Sequence, residues 1–129
     1  YQIDDNEKYY RLTGDVNTEN NGGFIQFATE IKKVDNNNFT GIRLRVRGNG
    51  ESYQLHLRTR MTKLPWQYYS QEFITTEDWN VVELPFSKFK KSNFYQPKSF
   101  KPNAIRSIGI VAIGKDFQAE IDLAHIEFF

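Results

Sequence analysis

The chain has 129 residues, 39% of them hydrophobic and 16% aromatic, enough for one packed core and too apolar for a disordered segment. The formal net charge is +1, so the overall balance selects no acidic partner and any electrostatic function must come from local clustering. With no cysteine the chain has no disulfide, thiolate zinc site or cysteine nucleophile. No apolar run approaches the roughly 18–20 residues a membrane-spanning helix needs, and no leader pattern is visible.

Tyr1 to Tyr10 is polar, with Asp4, Asp5 and Glu7, and reads as an extended lead-in. Leu12 and Val16 mark a short strand over Arg11 to Val16, and Asn17 to Gly23 is a turn cluster. Phe24 to Lys33 alternates as a strand, and Asp35 to Asn38 turns again. Gly41 to Arg60 holds the clearest pattern. Ile42, Leu44 and Val46 alternate with Arg43, Arg45 and Arg47; after Gly48-Asn49-Gly50, Tyr53, Leu55 and Leu57 alternate with Gln54, His56, Arg58 and Arg60. Two half-buried strands around a turn rich in Gly and Asn predict a β-hairpin.

Met61 to Pro65 is a loop. Trp66 to Thr75 is an aromatic strand, and Trp79 to Leu84 a short one ended by Pro85. Phe86 to Phe89 suits one helical turn capped by Ser87, with Trp79 in the core. Lys90 to Asn103 is a long loop with two prolines. Ala104 to Gly114 is a continuous apolar run, as in a buried central strand, and Phe117 to Phe129 alternates and closes the sheet. About eight short strands with almost no helix predict an all-β sandwich or barrel, read as one domain over residues 1–129.

Catalytic signatures are absent. There is no nucleophile elbow, and Gly48-Asn49-Gly50 joins strand to strand, without the helix that would hold a phosphate. The two histidines, His56 and His125, read as surface or packed residues, and nothing in the spacing of Glu72, Glu83 and Glu120 selects a carboxylate pair. The expectation is a non-enzyme without cofactor. A structural calcium ion held by carbonyls and Asp4, Asp5 or Asp122 stays open, since oxygen ligands leave little trace in sequence. Asn38-Phe39-Thr40 matches a glycosylation sequon by pattern alone.

Four blocks in order resemble the mitochondrial complex I intermediate-associated protein family, an assembly-factor domain with bacterial relatives. They are Gly14-Asp15-Val16 with Asn21-Gly22-Gly23-Phe24, then Gly41 to Gly50 with Tyr53, Leu55 and Leu57. Tyr69 to Phe73 with Trp79 to Phe86 follows, and then the closing pair Ile105 to Ile110 and Phe117 to Ile121. The similarity covers roughly Arg11 to Ile126. It implies a galactose-binding-like jelly-roll β-sandwich, no established catalytic residues, and an assembly-chaperone role in the best-known members. Tyr1 to Tyr10 carries nothing like the Trp and Asp-Gly-Val-Met-Gly-Gly-like segment that usually opens the family.

Three surfaces are candidates. If the hairpin forms, Arg43, Arg45, Arg47, His56, Arg58 and Arg60 share one face. That face either pairs with Glu72, Glu83, Glu120 and Asp122 or docks an acidic protein or sugar acid. Trp66, Tyr68 and Tyr69 either fill the core or offer rings to a sugar. Lys88, Lys90, Lys91, Lys98 and Lys101, interleaved with Phe89, Phe94, Tyr95 and Phe100, either form a crossover pinned by its aromatics or bind single-stranded nucleic acid. The near-neutral charge argues against nucleic acid. The leading expectation is a protein-interaction or assembly domain that docks through the Arg face or the adjoining loops. The alternative is a carbohydrate-binding module using Trp66, Tyr68, Arg58 and Arg60.

Overall fold

The computed structural model describes residues 2–4, 7–16, 25–31 and 37–129. Two antiparallel sheets of five strands each stack on a shared core. The first holds β1 (Gln2–Asp4), β2 (Glu7–Val16), β10 (Phe117–Phe128), β4 (Gly41–Gly48) and β7 (Asn80–Pro85), in that order. The second holds β3 (Ile25–Glu30), β9 (Ile105–Ala112), β5 (Ser52–Thr59), β6 (Tyr69–Ile74) and β8 (Lys90–Lys91). Among the described residues the only helical elements are two 3-10 turns, Phe86–Lys88 and Pro102–Ala104. No helix among them is long and apolar enough to cross a membrane.

Alternation builds the core as the sequence implies. Ile42, Leu44 and Val46 of β4 face Tyr53, Leu55 and Leu57 of β5 across the sandwich, joined by Ile121 of β10 and Ile110 of β9; all are at most 1% exposed. Burying each such aliphatic side chain is worth about 1.5–3 kcal/mol, so this stripe dominates the stability. The apolar run of β9 lies between β3 and β5, with Ile105, Ile108 and Ile110 in the shared core.

The predicted hairpin does not form. β4 pairs with β10 and β7, and β5 with β9 and β6, so the Gly48–Gly50 turn carries the chain from one sheet to the other. Local turn chemistry is the same in both cases: Gly50 has φ +84°, a conformation that hairpin and crossover both use. Side chains beyond the turn decide. The Tyr53 hydroxyl donates to Asn49 Oδ1 at 2.8 Å and accepts from the Glu120 N–H at 2.9 Å, while Asn49 Nδ2 donates to the Gln118 carbonyl at 2.7 Å. A Cβ on Gly48 would collide with the Thr75 side chain, which closes the corner from the other sheet.

Other expectations are corrected by packing. The lead-in is extended as expected and is also paired, for β1 and β2 occupy much of it. Ser87 lies inside its 3-10 turn and makes no side-chain cap. The Lys90 to Asn103 loop contains β8 and the second 3-10 turn. The Asn17 to Gly23 turn, Phe24, Lys32 and Lys33 lie outside the described residues.

Candidate ligand-binding face

The crossover separates the residues that the hairpin would have gathered. Arg43, Arg45 and Arg47 lie on the outer face of the first sheet. His56 and Arg58 lie on the outer face of the second, with Arg60 just past its end.

On the first face the strand register sets opposite charges side by side. Asp122 stands opposite Arg11 on one flank and Arg47 on the other, and both guanidinia reach it, with Nε to carboxylate distances of 2.8 and 2.7 Å. Asp122 is 3% exposed. Burial pushes its carboxyl up, but the hydrogen bonds from Arg11 and Arg47 outweigh that and hold it below the usual range. Arg43 stands opposite Glu83 and Glu127 and pairs with both, at 2.7 and 3.0 Å. Trp79 is not in the core. Its ring meets Tyr9 edge-on at 5.7 Å and lies under the guanidinia of Arg47 and Arg45, at 4.5 and 5.3 Å. Thus the Arg row is answered by its own strand neighbours and aromatic rings. The calcium expectation fails at Asp122, whose two oxygens are taken by guanidinia that would repel a cation; the Asp4 side chain and Asp5 lie outside what is described. Among the described residues no group of three or more His, Cys, Asp or Glu is placed to hold a metal ion.

The second face is built differently. Register brings Gln26, Val111, Gln54 and Glu72 into one row and Ala28, Gly109, His56 and Ser70 into the next. Ala28, Ser107 and Gly109 are small, so the floor is low, and a cleft of about 500 Å³ opens above it. Pro65, Trp66 and Tyr68 wall one side. Trp66 is 57% exposed, unlike Tyr69, which is fully buried. His56 stacks on Tyr68 with ring centres 4.1 Å apart and planes within 10°, and its Nε2–H donates to Gln54 Oε1 at 2.8 Å. Burial pushes the imidazole down to about 4, so it is neutral at pH 7. Arg58 lines the cleft and also donates to the carbonyls of Thr62 and Leu64, at 3.2 and 2.9 Å. It therefore braces the loop that carries Trp66. Arg60 borders a separate hollow of about 160 Å³ with Tyr69 and Phe100.

Residues 1–123 match the family described as complex I intermediate-associated protein 30 (CIA30). The chain belongs to the CIA30 family. No curated protein matches it in sequence. Among solved structures it is similar to the family 11 carbohydrate-binding module from Clostridium thermocellum in complex with a β-1,3-1,4-mixed-linked tetrasaccharide. The TM-score is 0.68 at 14% identity, over 95% of this chain and 84% of that one. The same kind of module from the cellulosomal cellulase Lic26A-Cel5E of that organism gives 0.68 at 13% identity, over 95% and 83%. PfGH50B gives 0.60 at 11% identity, over 95% of this chain and 22% of that one. At these identities the likeness shows the fold alone, a jelly-roll β-sandwich.

Of the residues singled out on the Arg face and among the aromatics, the CIA30 sandwich brings four to one cleft: His56, Arg58, Trp66 and Tyr68. Gln26, Ala28, Ser107 and Gly109 complete the cleft and were not anticipated. They come from β3 and β9, about 80 residues apart in the chain, and only the β3–β9–β5 pairing places them under His56. The arrangement offers an exposed indole, a stacked imidazole–phenol pair and amide groups around a shallow neutral floor. It offers no nucleophile paired with a base.

Proposed function

We propose that this domain is a non-catalytic binding unit whose ligand is a saccharide, held in the cleft on the outer face of the second sheet. One observation carries the reading: Trp66 stands exposed on the wall of a low, neutral cleft whose other ring groups are prestacked. Sugar rings present C–H faces that pack on flat aromatic surfaces and hydroxyls that need amide and hydroxyl partners. Trp66, Tyr68, Gln26, Gln54 and Ser107 supply both. Likeness to modules from Clostridium thermocellum, one in complex with a tetrasaccharide, supports the same reading.

Docking of a protein partner, favoured by the family's name, is the second reading. The Arg row does not favour it, because internal pairs occupy it. Phe94 and Tyr95 do, being 83% and 85% exposed on a loop that was expected to be pinned by its aromatics. Phe89 and Phe100 are the rings that do the pinning.

A glycan array probed with wild type and Trp66→Ala decides between them. Saturable binding to one sugar class, weakened at least tenfold in the variant, supports the saccharide reading; one stacked ring supplies an interaction of this order. No binding across the array overturns it and leaves the docking reading ahead.

A further inference from the structure

The floor of the cleft does not stop at His56. Register continues one row across all five strands: Ala28 opposite Gly109, Gly109 opposite His56, His56 opposite Ser70, and Ser70 opposite Lys90. At about 4.8 Å per strand step the row spans about 19 Å. Its far end enters a second hollow of about 660 Å³, lined by Gln54, Ser70, Glu72, Lys88, Lys90 and Lys98 among others. Lys88, Lys90 and Lys98 are exposed, and none forms an ion pair among the described residues. Glu72 is the one carboxylate lining that hollow.

The contrast with the first sheet is direct. There each Arg–carboxylate contact closes locally, whereas here three ammonium groups gather against one carboxylate at the end of a neutral track. Building on the saccharide reading, we infer that the groove takes an anionic polysaccharide, a uronate-containing chain laid across the strands. Sugar rings rest against Trp66 and the stacked His56–Tyr68 pair, and carboxylates meet Lys88, Lys90 and Lys98. Ammonium groups on flexible stems suit carboxylates repeated along a polymer, since each acts as a point charge without a fixed fork geometry. A nucleic acid fits less well. Its phosphates need a continuous basic track, and the cleft half of this groove sets one cation, Arg58, against one carboxylate, Glu30.

Calorimetric titration with polygalacturonate and with its carboxyl-reduced, neutral counterpart tests the assignment. The proteins are wild type, Trp66→Ala and the triple variant Lys88→Gln, Lys90→Gln, Lys98→Gln. Wild type is expected to bind the acidic polymer at least tenfold more tightly than the neutral one. The triple variant, altered only at exposed side chains, loses about tenfold on the acidic polymer and nothing on the neutral one. Trp66→Ala weakens both. Equal affinity for the two polymers, unchanged in the triple variant, overturns the acidic assignment and leaves the saccharide reading standing. Binding to neither polymer nor to any array glycan overturns both. Single-stranded DNA bound as tightly as polygalacturonate, with the same lysine dependence, also overturns the assignment, because the lysines would then form a general polyanion patch.

Discussion

The two outer faces of this sandwich use similar residues to opposite ends. The first sheet carries the denser charge, yet register places an acid beside its arginines at β10 and β7, and the face closes on itself. The second carries fewer charges, but its small floor residues leave a cleft, and Lys88, Lys90 and Lys98 form no ion pair among the described residues. The difference teaches that a row of like charges is no measure of a site. What counts is whether the neighbouring strands supply the counter-charge and whether the floor leaves room for anything else.

The sharpest way to break that comparison is at Asp122. Asp122→Asn keeps the shape but leaves the Arg11 and Arg47 guanidinia, one from each flanking strand, without their shared carboxylate. Asp122 is 3% exposed. The Arg11 side chain is 34% exposed, so solvent screens part of the loss. The expected cost is about 2–3 kcal/mol, read as a lower urea midpoint, with glycan binding unchanged. Trp66→Ala should show the reverse pattern, binding lost and midpoint kept. A stable Asp122→Asn protein would mean that the closed face is not held by its ion pairs.

The same contrast explains what was legible in the sequence. Period-two alternation located β4, β5 and β10, and the unbroken apolar run from Ala104 marked β9 as buried. Alternation records only inside and outside for each strand. It does not record which strand lies beside it. Gly48-Asn49-Gly50 satisfies a hairpin and a crossover equally, so Arg43, Arg45 and Arg47 were grouped with His56, Arg58 and Arg60 when the two sets lie on different sheets. Trp66 stood open between core and surface, because an aromatic ring beside Pro65 at a strand entry fits either, and only packing leaves it 57% exposed. Ala28 and Gly109 carried no local signal, since their part in the cleft exists only through long-range pairing. Trp79 was misread because its burial comes from the arginines above it, which sequence hydrophobicity does not count.

A second prediction sharpens the neutral character of the cleft. His56 titrates near 6.5 when unfolded and near 4 when folded, because burial disfavours its charged form. The unfolded chain therefore binds this proton first. The contribution of His56 is complete above pH 6.5 and is lost as pH falls from 6.5 toward 4. Allowing for partial exposure, the loss is about 1–2 kcal/mol. Asp122 acts in a separate window. Its folded pKa is depressed, so its contribution is present above its unfolded value of 3.8 and disappears below it. Urea midpoints between pH 7 and 4 should fall for wild type and stay flat for His56→Asn. An identical slope in the variant would remove His56 as the cause.

The smallest effect concerns Arg58, which lines the cleft and braces its wall. Two hydrogen bonds from one guanidinium nitrogen to the Thr62 and Leu64 carbonyls hold the loop that ends in Trp66. Removing them should cost about 1 kcal/mol, because the freed carbonyls can turn to water. The informative readout is binding. If Arg58 acts by positioning, Arg58→Ala weakens neutral and acidic glycans by the same factor, and Trp66 fluorescence shifts toward that of a mobile, solvated indole. If Arg58 instead meets the ligand's charge, the loss falls on acidic glycans alone and the fluorescence stays as in wild type. The first pattern would make the cleft neutral throughout and assign cation recognition to the lysines at its far end; the second would extend the cationic track to the Trp66 wall.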